Sequence, residues 1–275
     1  MSKSLIALLT TAAVLITTGC ANWSMNPSSA KDIALPTEKS MEMPAFAIAS
    51  QPSGALQKST GTAEPTYFAA TIAYTAVVFW TTVVQANLYT PVELFKLVHR
   101  YGKAEDLPDQ SGRQWTVTDA NSGFSAALTG KIAQDSVRWS MSVSGGTLTD
   151  FVWYEGTSTI TGKSGYWVFH DTAEGYPAVF KISYDVNIDG ETKGGVVLSV
   201  IDQANVNYGN YIKWSWDGTA RAFETYDVAN DKGVSEKYLI SWDAVSEAGS
   251  IENLIDNQKY CWAEKSLNHM DIQCR

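Results

Sequence analysis

From residue 113 to residue 244 the chain alternates apolar and polar side chains with a period of two, and that pattern restricts its fold more than any other feature. The runs RQWTVTD, GFSAALTGKIA, SVRWSMSVS, LTDFVWYEG, GYWVFHD, AVFKISYDV, GGVVLSVID, NYIKWSWDG, ARAFETYDV and EKYLISWDA have the length and composition of strands. Turn signals separate them at Ser144-Gly145-Gly146, Lys163-Ser164-Gly165, Asp189-Gly190, Asp217-Gly218 and Lys232-Gly233. These connections leave no room for crossover helices, so the strands form an antiparallel meander. One face carries Trp139, Met141, Phe151, Trp153, Trp167, Phe169, Ile182, Tyr184, Trp214, Trp216, Ile240 and Trp242. The other carries Arg138, Ser140, Lys181, Ser183, Asp185, Lys213, Ser215, Asp217, Lys237, Ser241 and Asp243. The sheet is therefore apolar on one side and wet on the other. ISYD, WSWD, ETYD and ISWD recur in these runs as a weak structural repeat.

A one-sided sheet has to cover its apolar face or close on itself. Apolar helical material lies just before it. The stretch from Tyr67 to Gln85, YFAATIAYTAVVFWTTVVQ, has no charge and reads as a helix buried on most sides. Its length also suits a transmembrane helix, and its Val and Thr content suits a strand pair. The threonines, Gln85 and the lack of basic flanks favour the core helix. Thr90-Pro91-Val92-Glu93 has the form of a capping box and opens a second helix over 91–100, ending near Gly102. His99, in its last turn, reads as a cap or surface contact. The expected class is α+β, mainly β: an antiparallel up-and-down meander, half-open or closed as a barrel, around an N-terminal apolar helical hairpin. In architecture alone this outline is similar to lipocalin-like barrels and to the periplasmic lipoprotein carriers and acceptors of the Lol system.

The N-terminus reads as an address. Lys3 precedes an apolar run from Leu5 to Ile16, too short to span a bilayer in the mature protein, and small residues lead to Cys20. Thr17-Thr18-Gly19-Cys20 resembles the lipobox of bacterial lipoproteins, although Thr17 stands where Leu is usual. The resemblance implies a signal peptide over 1–19 and acylation of Cys20, which becomes the new N-terminus. Ala21, rather than Asp, implies the outer membrane by the same resemblance. Pro27, Pro36, Pro44 and Pro52 then punctuate a stretch without apolar period, so 20–64 is expected to be a flexible tether ahead of one domain over 65–275. The alternative for part of it is a short binding segment around Met41-Glu42-Met43-Pro44-Ala45-Phe46. An exported chain permits a disulfide, and with Cys20 acylated the pair left is Cys261 with Cys274.

A net charge of −9 and a pI near 4.8 exclude a nucleic-acid partner, which needs a basic footprint. Asp185, Asn187 and Asp189, followed by Gly190, match the first half of a calcium loop, but Val196 stands where a bidentate Glu belongs. The same residues suit an ordinary hairpin, and calcium there is the one cofactor the sequence offers. His170 and Asp171, with Asp150 and Glu155 nearby, are the acid/base candidates. His99, His170 and His269 have no metal spacing, and no hydrolase, phosphate-loop or zinc-protease motif occurs. No catalytic residue is assigned.

In a half-open sheet Trp139, Trp153, Trp167, Trp214 and Trp242 would line a cleft for an acyl chain or other hydrophobic ligand. Outward-facing Tyr154, Tyr166, Tyr211 and Tyr226 would instead stack on sugars. The expected protein is a membrane-anchored, non-enzymatic envelope lipoprotein that binds a lipid or other hydrophobic ligand, or aids envelope assembly. A glycan- or polymer-binding module and a carboxylate-dependent hydrolase are the alternatives.

Overall fold

The computed structural model describes residues 33–41, 67–109, 111–172, 175, 177–186, 192–228, 233, 235–265 and 268–274. It is mainly β. Fourteen strands, β1 (Lys103–Asp106), β2 (Gly112–Asp119), β3 (Phe124–Ala133), β4 (Ser136–Gly145), β5 (Leu148–Thr159), β6 (Ser164–His170), β7 (Ala178–Val186), β8 (Lys193–Val200), β9 (Tyr211–Asp217), β10 (Ala220–Asp227), β11 (Glu236–Asp243), β12 (Gly249–Asn253), β13 (Gln258–Trp262) and β14 (Asp271–Ile272), follow one another in chain order. The registered pairs are antiparallel, as alternating strands joined by short turns require. Among the described residues β1 and β14 do not pair with each other, so the sheet is not closed.

The expected helical hairpin is corrected. One α-helix, α1, runs unbroken over Phe68–Tyr101, with Pro91 inside it. No glycine or turn dipeptide lies between Gln85 and Thr90, so nothing reverses the chain there. Pro91 removes a single backbone donor, and its buried side chain is held by packing. The capping box is not used. Glu93 instead takes a 2.9 Å bond from Lys96. The helix does stop at Gly102, whose amide donates to Val98 O at 2.9 Å and where an added Cβ would lie 2.4 Å from that oxygen.

The chain falls into two compact units. In the described residues the first comprises 33–41 and 88–180, and the second 67–87 and 181–274.

In the first unit, strands β2 to β6 present Trp115, Leu128, Trp139, Met141, Phe151, Trp153, Trp167 and Phe169 to one side, all buried. Leu94, Phe95 and Val98 of α1 are buried with them. Registration sets glycines opposite tryptophans: Gly130 pairs with Trp139, and Gly156 with Trp167. The rings lie over the bare backbone. A Cβ on Gly130 would meet Trp139 Cζ3 at 2.5 Å, and one on Gly156 would meet Trp167 Cε3 at 2.8 Å. Each glycine is thus the slot its neighbour's indole fills.

Part of the expected tether also belongs to this unit. Glu38–Ser40 form a 3-10 turn, with Ile33, Ser40 and Met41 buried. Ser40 Oγ accepts the Trp167 indole N–H at 3.2 Å, and Glu38 receives Arg100 through both guanidinium contacts, at 2.7 and 2.5 Å. The Pro-rich composition described the stretch as a whole, and these few side chains depart from it. Residues 20–32 and 42–64, and most of the Met41–Phe46 segment, lie outside the described residues.

In the second unit, strands β8 to β12 bury Val196, Trp214, Phe223, Ile240, Ile251 and Trp242 on one side. The glycine–tryptophan device returns: Gly194 pairs with Trp216 and Gly249 with Trp262. Added Cβ atoms there would meet the indole Cζ2 atoms at 2.4 and 2.3 Å. Ala69, Ala70, Ala73, Val77 and Val84 of α1 are buried in this unit. The first amides of α1 have no acidic residue in the first turn to receive them. They are capped from the far end of the sequence, Phe68 N and Ala69 N each donating to Asp271 at 3.0 Å. Cys261 and Cys274 form the expected disulfide.

Candidate ligand-binding recess

The tryptophans expected to line an apolar cleft are instead packed. Trp139, Trp153, Trp167, Trp214 and Trp242 are each 0–4% exposed. Trp139 stands 5.8 Å from Trp115 and 6.4 Å from Trp167, centroid to centroid. Trp167 meets Phe95 and Tyr154 edge-on, both at 5.6 Å, and Trp214 meets Phe223 edge-on at 4.8 Å. These are core contacts between rings.

Tyr154 is corrected from the outer to the inner face. The β4–β5 register slips between Met141 and Ser142, pairing them with Tyr154 and Val152 and leaving Trp153 as an extra residue. A bulge sends two successive side chains the same way, so Trp153 and Tyr154 are both buried. Burial pushes the Tyr154 hydroxyl well above its ordinary pKa. Tyr211, Tyr226 and the exposed Tyr166 do not share that fate. Tyr211 and Tyr226 are paired across β9 and β10, half-buried, with ring centroids 5.5 Å apart. Beside them Glu224 accepts Lys237 at 3.1 Å and the Tyr211 hydroxyl at 2.5 Å. Burial and that bond to Glu224 raise the Tyr211 pKa.

The second unit has a recess of about 720 Å³ across β7 to β11. Its size falls in the range of small-molecule sites. The register explains its shape. Gly195, Ser215, Ala222 and Ser241 form one row, with only small side chains. Lys193, Asp217, Ala220 and Asp243 form the next row on the same face. The intervening row, whose side chains alternate to the other face, also borders the recess through Gly194, Trp216, Arg221 and Trp242. The face is therefore low along one row and charged along its neighbour. Lys193 Nζ lies 2.9 Å from Asp217, and Arg221 is turned onto the adjoining turn, donating to Gly218 O at 2.6 Å. Of the five tryptophans chosen from sequence, Trp242 alone borders this recess.

Asp243, on the rim, has its pKa lowered to about 2. The Thr219 hydroxyl is the largest cause, followed by the amides of Ser246 and Val245. A folded-state value below the ordinary 3.8 stabilises the fold above that pH, and the gain is lost as pH falls toward 2. Acid titration of unfolding should show this as a loss in that window, and Asp243→Asn should flatten it. An unchanged acid limb in the variant would refute the assignment.

Asp185 borders the recess, while Asn187 and Asp189 lie outside the described residues. Among the described residues no cluster of three or more His, Cys, Asp or Glu is placed to hold a metal ion. His170 Nε2 stands 3.6 Å from Glu155, and Asp150 bonds Ser144 in a turn. His99 lies 3.7 Å from Glu38, and burial lowers its pKa.

One polar pair escaped sequence reasoning. His269 Nε2 meets Glu247 Oε2 at 3.0 Å, their side chains 3% and 5% exposed. Both residues have left-handed backbone, at φ 58° and 64°. Glu247 O also takes the Trp262 indole N–H at 2.6 Å, so the pair fastens the chain around the disulfide. No spacing in the sequence signals a contact that depends on these turns.

Comparison with protein-family models, curated proteins and solved structures finds no match to this chain.

Proposed function

We propose that this chain is a non-enzymatic lipoprotein of the bacterial envelope, anchored through acylated Cys20 and acting in lipid contact or envelope assembly. The observation that carries the reading is the Cys261–Cys274 disulfide. It uses both cysteines outside the lipobox-like Thr17-Thr18-Gly19-Cys20 and suits an oxidising, exported compartment. Cys20 is then the thiol left for acylation. The packed inner tryptophans move any contact with apolar matter from a central cleft to the surface of the molecule. Metabolic labelling with palmitate tests the anchor. Label is expected on the full chain and is expected to vanish in Cys20→Ser. Label that persists in that variant would refute it.

A glycan-contacting module is the second reading. It is favoured by Tyr211 and Tyr226, which share a sheet face with Ser215 and Ala222 of the recess. Binding on a glycan array that is lost in Tyr226→Ala would select it.

A further inference from the structure

We infer that the N-terminal half of α1 is a second membrane contact, its exposed face lying in the acyl region of a lipid bilayer. This builds on the proposed envelope location but not on acylation of Cys20. Within α1, the stretch Phe68–Ala86 has a mean hydropathy of 1.4, and only 28% of it is buried. Its buried seam, Ala70, Ala73, Val77 and Val84, packs in the second unit. A separate seam is exposed: Phe68, Ile72, Thr75, Phe79 and Thr82, spaced alternately by four and three residues. Phe68 and Phe79 are 59% and 56% exposed. A helix on a water-facing surface carries charge on its outer face, and this one carries none.

Three observations select lipid over a second copy of the chain. No charged residue occurs from Tyr67 to Val92, so the seam lacks the charged flanks that set pairing in a coiled coil. Two hydroxyls of this stretch bond back to the helix itself, Thr71 donating to Tyr67 O at 2.7 Å and, on the exposed seam, Thr82 to Val78 O at 2.8 Å. The amides of Phe68 and Ala69, which would otherwise call for water, are taken by Asp271. Polar groups paired in this way are the kind hydrocarbon accepts. The helix does not cross the bilayer in this arrangement. Its buried seam and its Asp271 cap keep it on the protein, with one side immersed.

The test places the full chain in phosphatidylethanolamine–phosphatidylglycerol vesicles containing a hydrocarbon-phase carbene photolabel, with adducts mapped by mass spectrometry. Adducts are expected at Phe68, Ile72 and Phe79, about tenfold above those on the strands, and are expected to disappear in Ile72→Glu/Phe79→Glu. Both positions are exposed, and circular dichroism would verify that the variant is folded. A helix free of adducts while palmitate remains on Cys20 would overturn this inference and leave the anchor standing. Adducts on a full chain that carries no palmitate would support it and refute only the anchor. Crosslinks between copies at Phe79, in place of lipid adducts, would overturn it in favour of a chain–chain seam.

Discussion

Replacing Trp167 with alanine is expected to lower the stability of the first unit by about 3–5 kcal/mol. Trp167 is fully buried and touches Phe95 of α1, Trp139 of β4 and Tyr154 of β5. Its ring also covers the bare backbone at Gly156, and its indole N–H is donated to buried Ser40. Truncation therefore empties a slot that the glycine cannot refill, and strands a buried hydroxyl. Trp167→Phe separates these effects. It keeps most of the apolar volume but removes the donor, and should cost about 1–3 kcal/mol. Urea unfolding followed by far-ultraviolet dichroism gives both values. A loss below about 1 kcal/mol for the alanine variant would show that the ring is not the hub described.

Opening the Cys261–Cys274 disulfide is expected to cost about 3 kcal/mol in the chain-entropy model, for a sequence separation of 13. The consequence extends beyond the loop. Asp271, inside it, caps α1 at Phe68 and Ala69, and a cap of this type is worth about 0.5–2 kcal/mol. Reduction should thus lower the melting temperature of the second unit and also speed amide exchange in the first turn of α1. If the cap depends on the disulfide, Asp271→Ala will add little to Cys261→Ala/Cys274→Ala, and a double-mutant cycle measures that coupling. A melt unchanged by reductant would refute the first expectation. Full additivity would refute the second.

The runs that alternated apolar with polar residues all became strands, β2 to β11, because their side chains carry the period themselves. The strands that were missed lack that period. Lys103–Asp106 is exposed at every residue, and β12 to β14 are short pieces held by pairing and by the disulfide. The hairpin expectation fails because Thr90-Pro91, a good helix start signal, lies inside α1. Within a helix already propagating, one lost amide does not end it. Tyr154 was misplaced for a different reason. Alternation is counted along one strand, whereas a bulge is set by the mismatch between two. The site was less legible still. The recess depends on which small residues stand side by side, and Gly195, Ser215, Ala222 and Ser241 are far apart in the chain until register joins them. The tryptophans were correctly placed on the inner face. Whether an inner face is a cleft or a filled core depends on three-dimensional volume, which alternation does not encode.

The strand order has a kinetic meaning. When each strand pairs with the next along the chain, most ladder contacts are local and close short loops, so assembly can proceed hairpin by hairpin. Ties between distant segments do not share this property. Ser40 reaches Trp167 across 127 residues, and Asp271 reaches Phe68 and Ala69 across 203 and 202. Their loop-closure entropy is recovered only once the intervening strands are in place. The two ends of the folded chain are therefore the last to be fastened and, when stability fails, the first to come loose.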